Sequence, residues 1–152
     1  MGELVFTTGM TGCAESLTDP SYAGQLLCFT FPQLGNYGIA RPDMESCRVW
    51  PLAVIASEYC PEPSNFRSEL SVDEFLRENG VPGLAGVDTR RITQLIREHG
   101  VMNAAVTPSE PTAELLERVR AYRVAGRVAA ASVSAPVRIE RPGAAFSVAR
   151  MD

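Results

Sequence analysis

The order of helices and strands between residues 71 and 122 constrains the fold of this chain more than any other feature of its sequence. Ser71 and Glu74 form a capping box, the pattern that begins a helix. The segments "LAGV" (84–87) and "VMNAAV" (101–106) have the short, apolar composition of strands. Helices that alternate with strands form crossover connections on parallel sheets. We therefore expect a mixed α/β fold with a partly parallel sheet.

Apolar periodicity predicts the two other helices of this region. Asp88 and Thr112 are suitable N-cap residues for them, and Gly100 is a suitable C-terminal stop for the first, as Gly80 is for the helix that begins at Ser71. Each helix carries one apolar face, formed by Ile92, Leu95, Ile96 and His99 in the first and by Leu115, Leu116, Val119 and Tyr122 in the second. We expect His99 to cover the apolar face and complement the negative helix terminus, not to act as a base.

Apolar stretches in the first half of the chain predict further strands, at "ELVFTTG" (3–9), at "GQLLCFTF" (24–31) and around residues 52–56. The second stretch is apolar throughout, as expected of a strand that is buried on both faces. A short helix between the first two strands is expected to end at Asp19-Pro20, because the residue before a proline disfavours helical conformation. Residues 32–47 are expected to form a loop.

The composition changes after Arg123. Residues 124–145 are rich in Ala, Val, Gly and Pro, and we expect one edge strand there, followed by a linker. The segment "AFSVARMD" (145–152) is expected to begin a new strand, at which the chain stops. We therefore divide the chain into a domain over residues 1–135 and, over residues 136–152, a linker with the first strand of an absent second domain.

Composition and charge exclude several kinds of function. The chain has 152 residues, a net charge of −4 and 45% hydrophobic residues, which indicates a cytoplasmic globular protein and argues against a nucleic-acid partner. No apolar run is long enough to predict a membrane span. All 14 basic residues are arginines. A phosphate-loop lysine and a Schiff base are therefore excluded, and "TTGMTG" (7–12) does not indicate a nucleotide site.

The cysteines form no recognisable metal or redox pattern. They are widely spread, at Cys13, Cys28, Cys47 and Cys60, and the chain has a single histidine to join them. We expect reduced thiols, several of them buried, with no metal site and no disulfide framework.

A group of arginines lies between residues 118 and 127. It consists of Arg118, Arg120, Arg123 and Arg127, and it is interleaved with Glu114 and Glu117. We interpret this group as a solvated face, with a partner surface as the alternative.

Two long stretches resemble one known family. Residues 2–38, "GELVFTTGMTGCAESLTDPSYAGQLLCFTFPQLGNYG", and residues 64–100, "SNFRSELSVDEFLRENGVPGLAGVDTRRITQLIREHG", resemble the N-terminal domain of the small, glutamine-dependent subunit of carbamoyl phosphate synthase. The similarity keeps its order and spacing from Gly2 to about Val106. It implies a three-layer β/β/α fold of the swivelling type. It also implies that the first strands of the domain are missing, because the family has a further strand pair before this motif.

The resemblance implies a role within a larger enzyme. In the family, this domain precedes a class I glutamine amidotransferase domain, and ammonia passes to a large subunit that makes carbamoyl phosphate for pyrimidine and arginine synthesis. The implied partners are thus the large subunit, the C-terminal amidotransferase domain and glutamine. ATP and magnesium are expected in the large subunit, with no cofactor on this chain. Because the catalytic cysteine and its histidine and glutamate partners are absent, the chain alone is expected to be inactive.

Ser21 is the single residue for which the resemblance implies a substrate contact. Taken alone, Asp-Pro-Ser-Tyr is a good turn in which the serine needs no further role. In the family, this serine contacts the glutamine bound in the neighbouring domain, and a neutral hydroxyl is suited to donate to a carboxylate. No catalytic residue is expected here; loop-shaping roles are expected for Gly9, Thr11, Gly12, Asp19 and Pro20.

Two other classes of function stay open at this point. One is a stand-alone, non-catalytic interaction module with the same fold. The other is a small metal or redox protein that uses the four thiols.

Overall fold

The elements of the fold follow one another closely over the first 131 residues. The computed structural model describes residues 1–135, 137–143, 145–146 and 148–149. The strands are β1 (Gly2–Thr7), β2 (Gln25–Phe29), β3 (Gln33–Leu34), β4 (Ala53–Ile55), β5 (Glu58–Tyr59), β6 (Gly83–Leu84) and β7 (Met102–Ala104). The helices are α1 (Cys13–Thr18), α2 (Val72–Glu78), α3 (Thr89–His99), α4 (Ala113–Ala121) and α5 (Arg127–Ala131), with 3-10 turns at Pro20–Tyr22 and Arg41–Asp43.

A five-stranded sheet in the order β6-β4-β2-β1-β7 is the centre of the fold. Its first four strands are parallel neighbours, and β7 pairs antiparallel with β1. The register places Leu26 of β2 between Leu4 of β1 and Ala53 of β4. A second, two-stranded parallel sheet consists of β3 and β5. The predicted partly parallel sheet is therefore confirmed.

Side chains of the central strands alternate between two core clusters. Leu27 and Val54 point to the face that is covered by α1, α2 and β3. Leu26 and Ile55 point to the opposite face, where Ile96 of α3 packs against them. The large sheet thus lies between α3 and a layer that contains the small sheet. This arrangement confirms the mixed α/β, three-layer β/β/α prediction, and the burial of both faces explains why β2 is apolar from Leu26 to Phe29.

The predicted helix caps are formed. The Ser71 hydroxyl accepts a hydrogen bond from the backbone N–H of Glu74 (3.2 Å), and the Glu74 carboxylate accepts one from the backbone N–H of Ser71 (2.8 Å). Asp88 accepts from the N–H of Arg91 (2.8 Å). Thr112 caps α4 in the same way. Each cap satisfies a helix N–H group that has no partner within its own helix.

The prediction for His99 is partly wrong. His99 lies at the end of α3, as predicted, but its side chain is 63% exposed and does not cover the apolar face. The reason is that α3 ends there, and Gly100 turns the chain toward β7 with φ 81°. In α4, Leu116 also points to solvent, and no residue of that helix is fully buried.

The prediction of an edge strand after Arg123 is wrong, because this segment contains α5. Gly126 precedes the helix in a left-handed conformation (φ 67°), and three consecutive alanines, the best helix formers, complete it. A helix of five residues is too short to show an apolar period. The strand predicted at residues 145–152 is not formed by residues 145, 146, 148 and 149, and the rest of that segment lies outside the described residues.

Two local boundaries also differ from the prediction. The strand expected at 84–87 lies at Gly83–Leu84, where it pairs with β4. The loop expected at 32–47 contains β3 and a 3-10 turn. Both differences involve elements of two or three residues, which tertiary contacts define more strongly than local sequence does.

Candidate functional site

The turn that contains Ser21 joins α1 to β2. Helix α1 ends at Thr18, and the extended backbone of Asp19 (ψ 118°) places Pro20 at the start of a 3-10 turn. The Asp19 carboxylate accepts a hydrogen bond from the Ser21 N–H (2.8 Å). Ser21 is exposed, and its hydroxyl makes no hydrogen bond within the part of the chain that the structure describes. The turn therefore presents a hydroxyl on a fixed backbone, and the prediction that Asp19-Pro20 ends the helix is confirmed.

Ser21 and the glycine loop of the same sequence motif lie at opposite edges of the main sheet. Because β1 and β2 are parallel, the turn that precedes β2 lies at the amino edge. Gly9, Thr11 and Gly12 follow β1 and therefore lie at the carboxyl edge. At about 3.3 Å per strand residue, the two edges are roughly 13 Å apart. The structure thus brings Asp19 and Ser21 together but does not bring the glycine loop to them.

Tyr122 and Arg127 cover the end of the Ser21 turn. The Tyr122 hydroxyl donates a hydrogen bond to the Gly24 carbonyl (2.8 Å), and Nη2 of Arg127 donates to the Tyr122 hydroxyl (3.1 Å). Both side chains are partly buried. For Arg127, the prediction of a solvated face is wrong, because its guanidinium group lies against Gly24. The other three arginines of that group are exposed, as predicted.

Arg48 and Trp50 extend the same surface. The Arg48 guanidinium carbon lies 3.8 Å from the centroid of the Trp50 ring, and Nη2 of Arg48 donates to the Ala130 carbonyl of α5 (3.4 Å). The backbone N–H of Trp50 donates to the Leu17 carbonyl near the end of α1 (3.0 Å). Helix α5 and the segment before β4 are thereby fixed beside the Ser21 turn. We call the residues of this surface the amino-edge cluster: Ser21, Gly24, Arg48, Trp50, Tyr122 and Arg127.

Sequence reasoning identified Ser21 but missed the other members of the amino-edge cluster. Tyr122 was placed in an apolar stripe and Arg127 in a charged face, and both positions are consistent with their local patterns. The pair Gly24 and Tyr122 is 98 residues apart in sequence. No local spacing reveals such a contact, although Tyr122 is the one stripe member that carries a hydrogen-bonding group.

Comparison with known proteins agrees with this fold and this motif order. A family model for the carbamoyl-phosphate synthase small chain, CPSase domain, matches residues 1–106. The chain belongs to this family. The resemblance that the two long stretches indicated is therefore confirmed for most of the chain.

Curated members of the carbamoyl-phosphate synthase small chain family align over most of this chain. The carbamoyl phosphate synthase small chain of Nitratidesulfovibrio vulgaris is 51% identical over 121 residues, which is 79% of this chain. The small chain of Listeria monocytogenes serotype 4b is 47% identical over 127 residues, or 82% of this chain. These alignments cover 32% and 34% of the relatives. The chain therefore spans about a third of the length of the curated relatives it matches.

The glycine loop of this small-chain domain has a well-defined backbone. Gly12 lies before α1 in a left-handed conformation (φ 78°, ψ 37°), which favours glycine, and its carbonyl accepts the N–H of Ser16 (3.0 Å). The Gly9 N–H approaches the Thr7 hydroxyl (3.4 Å). The loop-shaping role of Gly9, Thr11 and Gly12 stays a prediction.

Two of the four thiols in this small-chain domain, those of Cys13 and Cys28, are kept protonated by burial. All four cysteines lie within the described residues and none is paired. Burial raises the pKa of the Cys13 thiol to about 12, with a further contribution from the Glu15 carboxylate, and burial raises that of Cys28 to about 11. A protonated thiol is a poor nucleophile and a poor metal ligand. In the described part of the chain, no group of three or more His, Cys, Asp or Glu side chains is placed to hold a metal ion.

The helices of the chain are short or polar. Within the described residues, none has both the length and the apolar composition that a membrane crossing requires.

Proposed function

We propose that this chain forms the N-terminal part of the small subunit of a glutamine-hydrolysing carbamoyl phosphate synthase, a cytoplasmic ligase. In this proposal, an amidotransferase domain follows the chain and releases ammonia from glutamine. The large subunit binds ATP and magnesium and makes carbamoyl phosphate for pyrimidine and arginine synthesis. The support comes from family membership and from the sequence identity over about four fifths of the chain.

The chain itself contributes structure and one substrate contact in this proposal. It scaffolds the amidotransferase domain, contacts the large subunit and offers the Ser21 hydroxyl to glutamine. The observation that carries the substrate contact is the exposed Ser21 hydroxyl on a turn that Asp19 fixes. A hydroxyl both donates to the carboxylate and accepts from the ammonium group of an amino acid without adding charge to the site. Ser21 therefore binds substrate and does not perform chemistry.

The chain alone is inactive in this proposal, and it binds no cofactor. Hydrolysis of an amide by a covalent route needs a nucleophile with an adjacent base. His99 lies exposed beside Glu98, and the buried thiols Cys13 and Cys28 stay protonated at neutral pH. The nucleophile and the base then come from the domain that follows.

The proposal is tested by glutamine hydrolysis with and without the missing partners. The 152-residue chain alone is expected to show no turnover. The same chain, fused to the remainder of the Nitratidesulfovibrio vulgaris small chain and assembled with the large subunit of that organism, is expected to hydrolyse glutamine. In the assembled protein, Ser21→Ala is expected to raise KM for glutamine about tenfold with less than a twofold change in kcat.

The outcomes separate the proposed role from its alternative. Ser109→Ala, at another exposed serine, is the matched control and is expected to leave KM unchanged. Turnover by the isolated chain would contradict the proposal. An unchanged KM for Ser21→Ala would remove Ser21 from the site. Failure of the fusion to bind the large subunit would favour a stand-alone interaction module.

A further inference from the structure

The segment that follows α4 is fastened to the turn that carries Ser21. Tyr122 is the first residue after α4, and its hydroxyl bonds at once to the Gly24 carbonyl and to Arg127. The Tyr122 carbonyl in turn accepts a hydrogen bond from the Asn103 side chain of β7 (2.9 Å). Both ends of Tyr122 are therefore held by the main sheet, one at β7 and one at the start of β2.

Gly24 leaves space for the side chain of Arg127. A Cβ atom at position 24 would lie 2.9 Å from the Arg127 guanidinium carbon, closer than real Cβ contacts occur. Gly24 also has φ 83°, a conformation that other residues rarely adopt. The absence of a side chain thus leaves room for the guanidinium group three residues after Ser21.

A second contact fixes the far end of α5 to the same edge. Arg48 reaches the Ala130 carbonyl while its guanidinium group stacks on Trp50. Trp50 is itself held at Leu17, near the end of the helix that leads into the Ser21 turn. Helix α5 has only five residues and no buried residue of its own, so these two arginine contacts are what order it.

We propose that Tyr122 and Arg127 are positioning residues for the glutamine site: they hold the chain against Gly24, so that whatever follows α5 enters beside Ser21. This inference rests on the proposed function. The residues act through Ser21 and through the path of the chain and need no contact with substrate. Without them, the Ser21 turn and the following domain move independently, and the Ser21 hydroxyl is no longer presented in one geometry.

The first test uses the fused and assembled protein described above. Arg127→Ala and Tyr122→Phe are each expected to raise KM for glutamine about fivefold, with less than a twofold change in kcat. The double variant is expected to have the same KM for glutamine as the single variant with the higher KM, because the two side chains act as one unit. Arg118→Ala is the matched control, since this exposed arginine of α4 makes no side-chain hydrogen bond or ion pair within the described residues.

The second test needs no activity and uses the 152-residue chain itself. The backbone N–H of Ala130, which bonds to the Gly126 carbonyl within α5, reports whether the segment is fastened. Tyr122→Phe and Arg127→Ala are expected to increase its hydrogen exchange at least threefold, whereas Arg118→Ala is expected to leave the exchange unchanged.

The results distinguish failure of this inference from failure of the proposed function. If Ser21→Ala raises KM and Arg127→Ala does not, the positioning role is overturned while the Ser21 contact stands. If Ser21→Ala leaves KM unchanged, the glutamine contact and the positioning role both fail, and exchange at Ala130 still decides whether the fastening exists. Equal exchange in all variants overturns the fastening. A KM effect that Arg118→Ala reproduces also overturns the inference.

Discussion

The buried hydroxyl of Thr18 accepts a hydrogen bond from the backbone N–H of Glu45 (2.8 Å). The same hydroxyl donates to the Ala14 carbonyl one turn earlier in α1 (2.7 Å), and the Thr18 carbonyl accepts from the Ser46 hydroxyl (2.7 Å). Thr18 is fully buried. It therefore joins the last turn of α1 to the segment that leads into β4, directly before the Ser21 turn.

We predict that Thr18→Val lowers the free energy of unfolding by about 1–3 kcal/mol, because the Glu45 N–H loses its buried acceptor. Valine keeps the shape of threonine, so the change reports the hydroxyl alone. Thr93→Val is the control: that hydroxyl donates only to the Thr89 carbonyl within α3, and a loss below about 0.5 kcal/mol is expected. Urea unfolding of both variants is the measurement, and equal losses would contradict the prediction.

Removing the cap of α2 has a predictable cost. Ser71→Ala is expected to destabilise the chain by about 1 kcal/mol, since an N–H at the start of the helix loses its acceptor. Thr112→Ala, at the cap of α4, is expected to cost less in global unfolding, because α4 has no fully buried residue and frays independently. Thermal unfolding of the two variants measures which substitution destabilises the chain more. A larger loss of stability for Thr112→Ala would contradict the prediction.

The capping box of Ser71 and Glu74 makes the stability of the chain depend on pH. Hydrogen bonds from the backbone N–H and the hydroxyl of Ser71 hold the pKa of Glu74 below its usual value. The stabilisation by ionised Glu74 is therefore complete above about pH 4.5 and is lost as the pH falls through the lowered folded-state pKa. We expect the difference in stability between the wild-type chain and Ser71→Ala to shrink between pH 5 and pH 3, as measured by urea unfolding. A constant difference would argue against this coupling.

The buried thiols predict an alkaline loss of stability. Burial raises the pKa of Cys13 from 9.0 to about 12, so the folded chain keeps a proton that the unfolded chain releases. The stabilisation is present below pH 9 and is lost as the pH rises toward 12, at up to about 1.4 kcal/mol per pH unit. Cys13→Ala is expected to reduce this slope, whereas Cys47→Ala, at an exposed thiol, is expected to preserve it. Unfolding measured between pH 8 and pH 11 compares the slopes.

Alanine substitutions at two glycines distinguish the cost of backbone strain from the cost of steric contact. Gly38 and Gly86 have similar positive φ angles, 71° and 82°. A Cβ at Gly38 would overlap the Ser68 side chain, with Ser68 Cβ at 2.7 Å, and would lie 2.9 Å from Pro63 Cβ, whereas one at Gly86 meets nothing within 4 Å. We predict that Gly86→Ala costs about 1–2 kcal/mol from backbone strain and that Gly38→Ala costs about 1–3 kcal/mol more. If urea unfolding shows similar losses of stability for the two variants, the loop around Pro63 moves aside without an energetic cost.

The features that could be predicted from the sequence are those that neighbouring residues determine. The caps at Ser71 and Asp88 and the end of α1 at Asp19 each depend on contacts within a few residues, and all three are confirmed. Ser21 was found because its motif is long and keeps its spacing. The division into residues 1–135 and 136–152 stays a prediction.

The features that escaped prediction depend on residues far apart in the chain. The pair Arg48 and Ala130 is 82 residues apart, and β5 has only two residues, which pair with β3. The sequence around Arg127 is typical of a solvated charge, but the fold places its guanidinium group against Gly24. A close approach of this kind depends on the three-dimensional path of the chain, and no local period encodes it.

The pairing of β7 with β1 has a consequence for how the domain is made. Gly2 lies opposite Ala104, so during synthesis β1 waits for a partner that is made about a hundred residues later. The strand next to β1 on its other side, β2, becomes available much sooner. Synthesis thus leaves one side of β1 uncovered until residue 104 emerges. A truncation before that point would expose an unpaired strand edge and invite aggregation.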